Sequence, residues 1–203
     1  ITLNEKADPT EANQFWIDLS SGDVTSTHRE LWDLGFYSGD EFRVMLNSSL
    51  VMSVGKIENV TNIDAVNSQT VKNLKDLVQA ANFTDNAQYV DNPNGDIVNQ
   101  TTGISPISSD DNLNNVYLLN MGHKVYEGSP SPGTIYNIGD LRGWKKIRIL
   151  RYALGYKIQY ADLDETSHKE FIISKDTEYN YRFFSFTTGT YANIKKKKKE
   201  WDL

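Results

Sequence analysis

The stretch from Trp32 to Asn47 constrains the fold of this 203-residue chain more than any other. Trp32, Leu34 and Phe36 fall on one side of a period-two pattern, and Phe42, Val44 and Leu46 on one side of the next. Ser38-Gly39-Asp40 between them is turn chemistry, with Gly39 free to take positive φ. Two antiparallel strands are expected, each with one buried face. The Trp-Asp-Leu triplet of this stretch returns at Trp201-Asp202-Leu203.

Residues 1–14 are polar, contain Pro9, and read as a leader or linker. Phe15 to Gly22 reads as a strand ending in a turn, and Val24 to Leu31 as a polar connection. Val51 to Val60 offers a third strand or an irregular edge, interrupted at Gly55. Over Ser68 to Ala81 the period changes. Val71, Leu74, Leu77, Val78 and Ala81 make a one-sided helical stripe, with Asn67, Ser68 or Thr70 available to cap it. Residues 82–115 are rich in Asn, Asp, Gly, Pro and Ser, and a loop of that length is functional or mobile. Val116 to Asn120 is a short apolar strand, followed by Met121-Gly122-His123 and a Ser-Pro-Ser-Pro-Gly loop at 129–133. Trp144 to Tyr152 and Tyr156 to Tyr160 form a hairpin around Ala153-Leu154-Gly155. Phe171 to Ser174 and Tyr179 to Phe186 are two further strands. The expected fold is mainly β and antiparallel, with one or two short helices.

Composition removes several kinds of chemistry. Without cysteine there are no disulfides, thiolate metal sites or cysteine nucleophiles. A net charge of -6, from 21 basic and 27 acidic side chains, argues against non-specific nucleic-acid binding. There is no apolar run of about 18 residues to form a transmembrane helix. His28, His123 and His168 are not at metal-ligand spacing, and no nucleophile elbow, phosphate loop or dinucleotide fingerprint occurs. The pairs Asp110/Asp111 and Asp162/Asp164 sit in polar turns with nothing apolar nearby to shift their pKa. An enzyme is not expected.

Three features carry binding chemistry on residue type. Asp91-Asn92-Pro93-Asn94-Gly95-Asp96 offers oxygen ligands and a turn glycine, as a calcium loop would, but it lacks the distal bidentate Glu, and residue preference favours a plain Asn/Gly turn. Lys195 to Lys199 could meet anionic lipid or phosphate, or serve as a solvated linker. Met121 ends a strand at the mouth of a loop, and Gly122 allows close approach. Its thioether suits haem iron, and His123 offers an imidazole two residues on. Alternatively, Met121 fills a gap in the core.

A partial repeat bears on domain organisation. Phe183 to Gly189, followed by Trp201-Asp202-Leu203, echoes Trp16 to Gly22 followed by Trp32-Asp33-Leu34. The expected division is a leader over 1–14, a β domain over 15–186, and a linker with the start of a second unit over 187–203.

Trp16 to Asn47 resembles the HmuY family of haem-binding surface proteins from Gram-negative anaerobes. The shared pattern is an aromatic strand, Ser-x-Gly, a polar spacer, Trp-Asp-Leu-x-Phe, a turn and an Arg-x-x-x-Asn strand. Trp144 to Leu150, Tyr160 to Leu163 and Tyr179 to Phe186 match as well, so the likeness covers 15–186 at both ends and fades through 50–115. The resemblance implies an HmuY-like antiparallel β fold and a non-enzymatic haemophore that takes haem from host haemoproteins for uptake. It implies haem between two-stranded extensions with His or Met as axial ligands, and one ligand position falling near Met121-Gly122. The metal ligand expected is thus Met121, with His123 as substitute. The other position falls in 85–112, which contains neither residue. Such proteins are lipoproteins of the bacterial outer-membrane surface, or are shed, and partner a TonB-dependent receptor; any lipid anchor would lie outside this chain. The competing expectation is a surface module of the same fold that binds no haem and serves adhesion or another ligand.

Overall fold

A computed structural model describes residues 9–80, 87–94, 102–136 and 138–194. The Trp32–Asn47 stretch is the expected antiparallel pair, β3 (Leu34–Tyr37) and β4 (Val44–Leu46), with Leu34 opposite Leu46 and Phe36 opposite Val44. Before it come β1 (Asn13–Ile17) and β2 (Val24–His28), a hairpin of their own. After it come β5 (Ser53–Lys56), α1 (Lys72–Leu77), β6 (Val116–Asn120), β7 (Trp144–Tyr152) and β8 (Gly155–Asp162). The described chain closes with β9 (Lys169–Ser174), β10 (Tyr181–Ser185) and β11 (Thr190–Tyr191). Among the described residues all strand pairings are antiparallel. They build a four-stranded sheet, β11-β10-β3-β4, and a five-stranded sheet, β5-β6-β7-β8-β9.

The main core lies between these two sheets. Leu34, Phe36, Leu46 and Phe184 come from one; Leu119, Ile147, Ile149, Tyr156 and Ile158 come from the other. Alternation along β6 sends Tyr117 and Leu119 into this core. It sends Val116 and Leu118 into a second cluster, with Val71, Val78 and Leu163, on the α1 side. The expectation that β3 buries one face is corrected: Leu34, Gly35 and Phe36 are all buried. On the outer face, Trp32 and Phe183 meet at 4.7 Å, and Trp16, Met45 and Ile194 pack around them. Trp32 precedes the strand, so it does not share the core side with Leu34 and Phe36.

The motif residues serve buried polar joints. Asn47, with no exposed surface, donates through Nδ2 to the Arg29 and Trp32 carbonyls at 2.7 and 2.8 Å, while Oδ1 accepts from the Ser49 hydroxyl at 2.6 Å. Asn47→Ala should therefore lower stability by about 3 kcal/mol, because two buried carbonyls lose their donors. Urea denaturation reads this as a fall in midpoint at constant slope, and a loss under about 1 kcal/mol would refute the role. Lys146, also fully buried, spans two segments by donating to the Val66 and Glu165 carbonyls, each at 2.6 Å.

Several boundaries differ from expectation. The helix is six residues rather than fourteen. Asn67 closes a side-chain turn instead, its Oδ1 accepting from the amides of Gln69 and Thr70. Val24 to Leu31, expected as a connection, supplies strand β2 and a 3-10 turn. Its β-branched Val24, Thr25 and Thr27 were the available signal. Within 102–115, Ile104 and Ile107 enter the main core, so that part of the long loop is anchored by burial. Residues 187–194 continue the four-stranded sheet through β11 and place Ile194 against Trp32 and Phe183. Lys195 to Leu203, with the lysine run and the second Trp-Asp-Leu, lie outside the described residues.

Candidate functional site

Beyond Asn120, β6 and β7 extend into a two-stranded arm. The Met121 amide donates to the Gly143 carbonyl at 3.0 Å, Arg142 to Gly122 at 2.9 Å, Lys124 to Asp140 at 2.9 Å and Gly139 to Lys124 at 2.7 Å. His123 and Leu141 face each other across this ladder. The arm is fastened to the body along its length. His123 N–H donates to the Leu50 carbonyl at 2.9 Å, Val125 N–H to the Glu30 carboxylate at 2.6 Å, and Tyr136 N–H to the Pro9 carbonyl at 2.8 Å.

The base of the arm carries a buried ion pair. Arg142 meets Asp33 Oδ1 at 2.6 Å, with side-chain exposures of 8% and 0%. Asp33 Oδ2 accepts from the Phe186 amide at 2.7 Å, and the second arm of the Arg142 guanidinium donates to the Met121 carbonyl at 3.1 Å. The Asp of Trp-Asp-Leu thus ties β3, the end of β10 and the arm together.

Met121 and His123, the two predicted ligand residues, have different surroundings. Met121 is 2% exposed and belongs to the main core with Leu50, Met52 and Val125. Gly122 has φ +68°, which breaks the extended alternation between them. His123 is half-buried, and its Nδ1 lies 2.9 Å from the Gly139 carbonyl. A carbonyl only accepts, so Nδ1 carries the proton, and in the neutral ring it is Nε2 that has the lone pair for a metal.

Exposed apolar side chains cluster on the strand opposite this imidazole. Leu141, its cross-strand neighbour, is 72% exposed, Ile135 66% and Ile138 48%. Tyr136 stacks on Tyr126 with ring centres 5.0 Å apart. So much exposed apolar surface within seven residues marks a contact surface rather than scattered exposure. Sequence reasoning missed these residues, and no period marks them: it is the bridge that sets Leu141 opposite His123, with Ile138 and Ile135 preceding it on the same strand of the arm.

The other histidines are spent differently. His28 Nδ1 accepts from the Glu30 amide at 3.3 Å. His168 is held between Asp64, at 2.9 Å, and Gln159, at 3.1 Å. Among the described residues no three His, Asp or Glu side chains converge into a metal cage.

The carboxylates singled out from sequence hold turns and join segments. Asp110 accepts from the Asn112 amide at 2.9 Å, and Asp162 pairs with Lys145 at 2.5 Å. Asp164 accepts from the Ser68 amide at 2.7 Å, and that bond holds its carboxyl below the usual range. Asp91 clamps the loop to β4 by accepting from Leu46 N–H at 2.7 Å and Gly103 N–H at 2.8 Å. Burial pushes its carboxyl up, and the two amide bonds oppose that. In the same segment Asn92 closes a turn onto the Asn94 amide at 3.0 Å, as the plain-turn reading expects; Gly95 and Asp96 lie outside the described residues.

Compared with known proteins, residues 10–174 match the family model described as HmuY protein. No curated protein and no solved structure matches the chain.

Proposed function

The chain belongs to the HmuY family, and from that membership we propose that it is a cell-surface haem-binding protein that captures haem for uptake and catalyses no reaction. The observation that carries the reading is the His123 imidazole, its Nδ1 facing the Gly139 carbonyl, on an arm that exposes Leu141 opposite it and Ile135 and Ile138 beyond. A bare cation needs several converging ligands, whereas haem brings four of its own and asks the chain for axial donors and an apolar seat.

His123 Nε2 is the axial donor this reading favours. Ile138, Leu141 and the Tyr126–Tyr136 pair would take the porphyrin face. Bound haem supplies the iron, and the chain holds it. Met121 remains the alternative donor, but its thioether would first have to leave the core. A lipid anchor, an outer-membrane or secreted location, and a TonB-dependent receptor that receives the haem complete the proposal.

The test is titration of the purified protein with ferric and ferrous haem. A shifted Soret band of one-to-one stoichiometry is expected, abolished or moved in His123→Ala and retained in Met121→Ala. The reverse pattern would assign the iron to Met121. No shift in either redox state would overturn haem capture and leave the second reading, a surface module of this fold whose arm engages another ligand.

A further inference from the structure

Beside β10 and β11, the chain between Asp176 and Ile194 lines a cavity of about 360 Å³, to which the arm contributes no wall. Three half-buried tyrosines shape it. Tyr181 packs between Tyr37 and Phe183, with ring centres 5.7 and 6.0 Å away. Tyr191 is held edge-on by Phe171 at 5.2 Å, and its hydroxyl accepts from the Ser174 amide at 3.0 Å. The guanidinium of Arg182 lies 4.1 Å over the Tyr191 ring and 5.8 Å from that of Tyr179. It also pairs with Asp176 at 3.1 Å.

These walls are fixed before any ligand arrives, so little ordering entropy is lost on binding. The chemistry selects the ligand class. Asp176 and Arg182 neutralise each other, so an anion would meet the carboxylate and a cation the guanidinium. A purely aliphatic ligand would strip water from both without replacing its hydrogen bonds. A neutral ring with C–H faces and hydroxyls at its rim satisfies the whole lining: faces on tyrosine, hydroxyls on Asp176, Arg182 and Asn193. The volume lies at the lower end of the roughly 300–1,000 Å³ typical of small-molecule sites, which fits a short saccharide.

We propose that this cavity binds a neutral mono- or disaccharide, with Tyr179 as the stacking platform, Tyr181 as fixed wall and the Asp176–Arg182 pair reading hydroxyls. The site is independent of the haem reading. The experiment is amide-resolved NMR with calorimetry, using maltose, cellobiose and N,N′-diacetylchitobiose as probes and uridine as a planar control. At least one disaccharide should give saturable shifts confined to residues 176–194. Arg182→Ala and Tyr179→Ala should weaken it about tenfold or more while amide shifts outside residues 176–194 stay those of the parent protein, and Tyr179→Phe retains binding. No saturable shift with any of the three sugars at millimolar concentration would overturn the proposal. So would shifts that survive both alanine variants, or preferential binding of uridine.

Discussion

Asp33→Ala and Arg142→Ala are each expected to lower stability by about 3–5 kcal/mol. Either variant leaves one charge unpaired in a place with little access to water, since the Asp33 and Arg142 side chains are 0% and 8% exposed. Each also strands a backbone partner. Without Asp33 the Phe186 amide loses its 2.7 Å acceptor, and without Arg142 the Met121 carbonyl loses its 3.1 Å donor. The double variant Asp33→Ala/Arg142→Ala should cost clearly less than the two singles together, because no buried charge remains. A double-mutant cycle in urea measures the difference, which contacting buried ions put at about 1–3 kcal/mol. Single-variant losses under about 1 kcal/mol would mean that the joint is solvated and does not hold the arm.

Gly122→Ala should be of similar size for a different reason. At φ +68° an added Cβ would stand 1.9 Å from the Leu50 carbonyl oxygen and 2.9 Å from the Leu50 and Val51 carbonyl carbons. Those atoms are backbone, so no rotamer change relieves the overlap. The arm would have to lift, and with it the bond from His123 N–H to Leu50. A loss of more than about 4 kcal/mol is expected, in the range reserved for such specific failures. Gly133→Ala is the control, with φ +81° and nothing within 4 Å of its added Cβ. It should cost only the left-handed strain of about 1–2 kcal/mol. If the two variants unfold at the same urea midpoint, the close approach does not position the arm. Faster amide exchange at His123 in Gly122→Ala alone would locate the damage.

The strands that bury alternate faces were legible because period two is a local property of the chain. β3, β4, β6, β7 and β10 lie close to where their aromatic and branched residues predicted. The hairpin strand β2 was harder to read. Its polar Val-Thr-Ser-Thr-His buries neither side, since only Val24 and Thr27, on opposite faces, are half-buried, so pairing with β1, rather than burial, makes it a strand. The helix was over-read for the converse reason. Val71 and Val78 carry the apolar stripe, yet both lie just outside α1, where turns bury them as well as a helix would.

The sequence by itself determined a mainly β antiparallel fold, the family, and two candidate residues at the end of β6. The tertiary structure decided how those residues are placed. Met121 and His123 are two positions apart, but one enters the core and the other lies on the arm opposite Leu141 because Gly122 turns left-handed under Leu50. Asp33 could be flagged as part of a motif, but its partner is 109 residues away. An ion pair across that separation leaves no period in the sequence. Local patterning records which side chains prefer burial, and only the packed sheets bring distant charges and carbonyls close enough to pair.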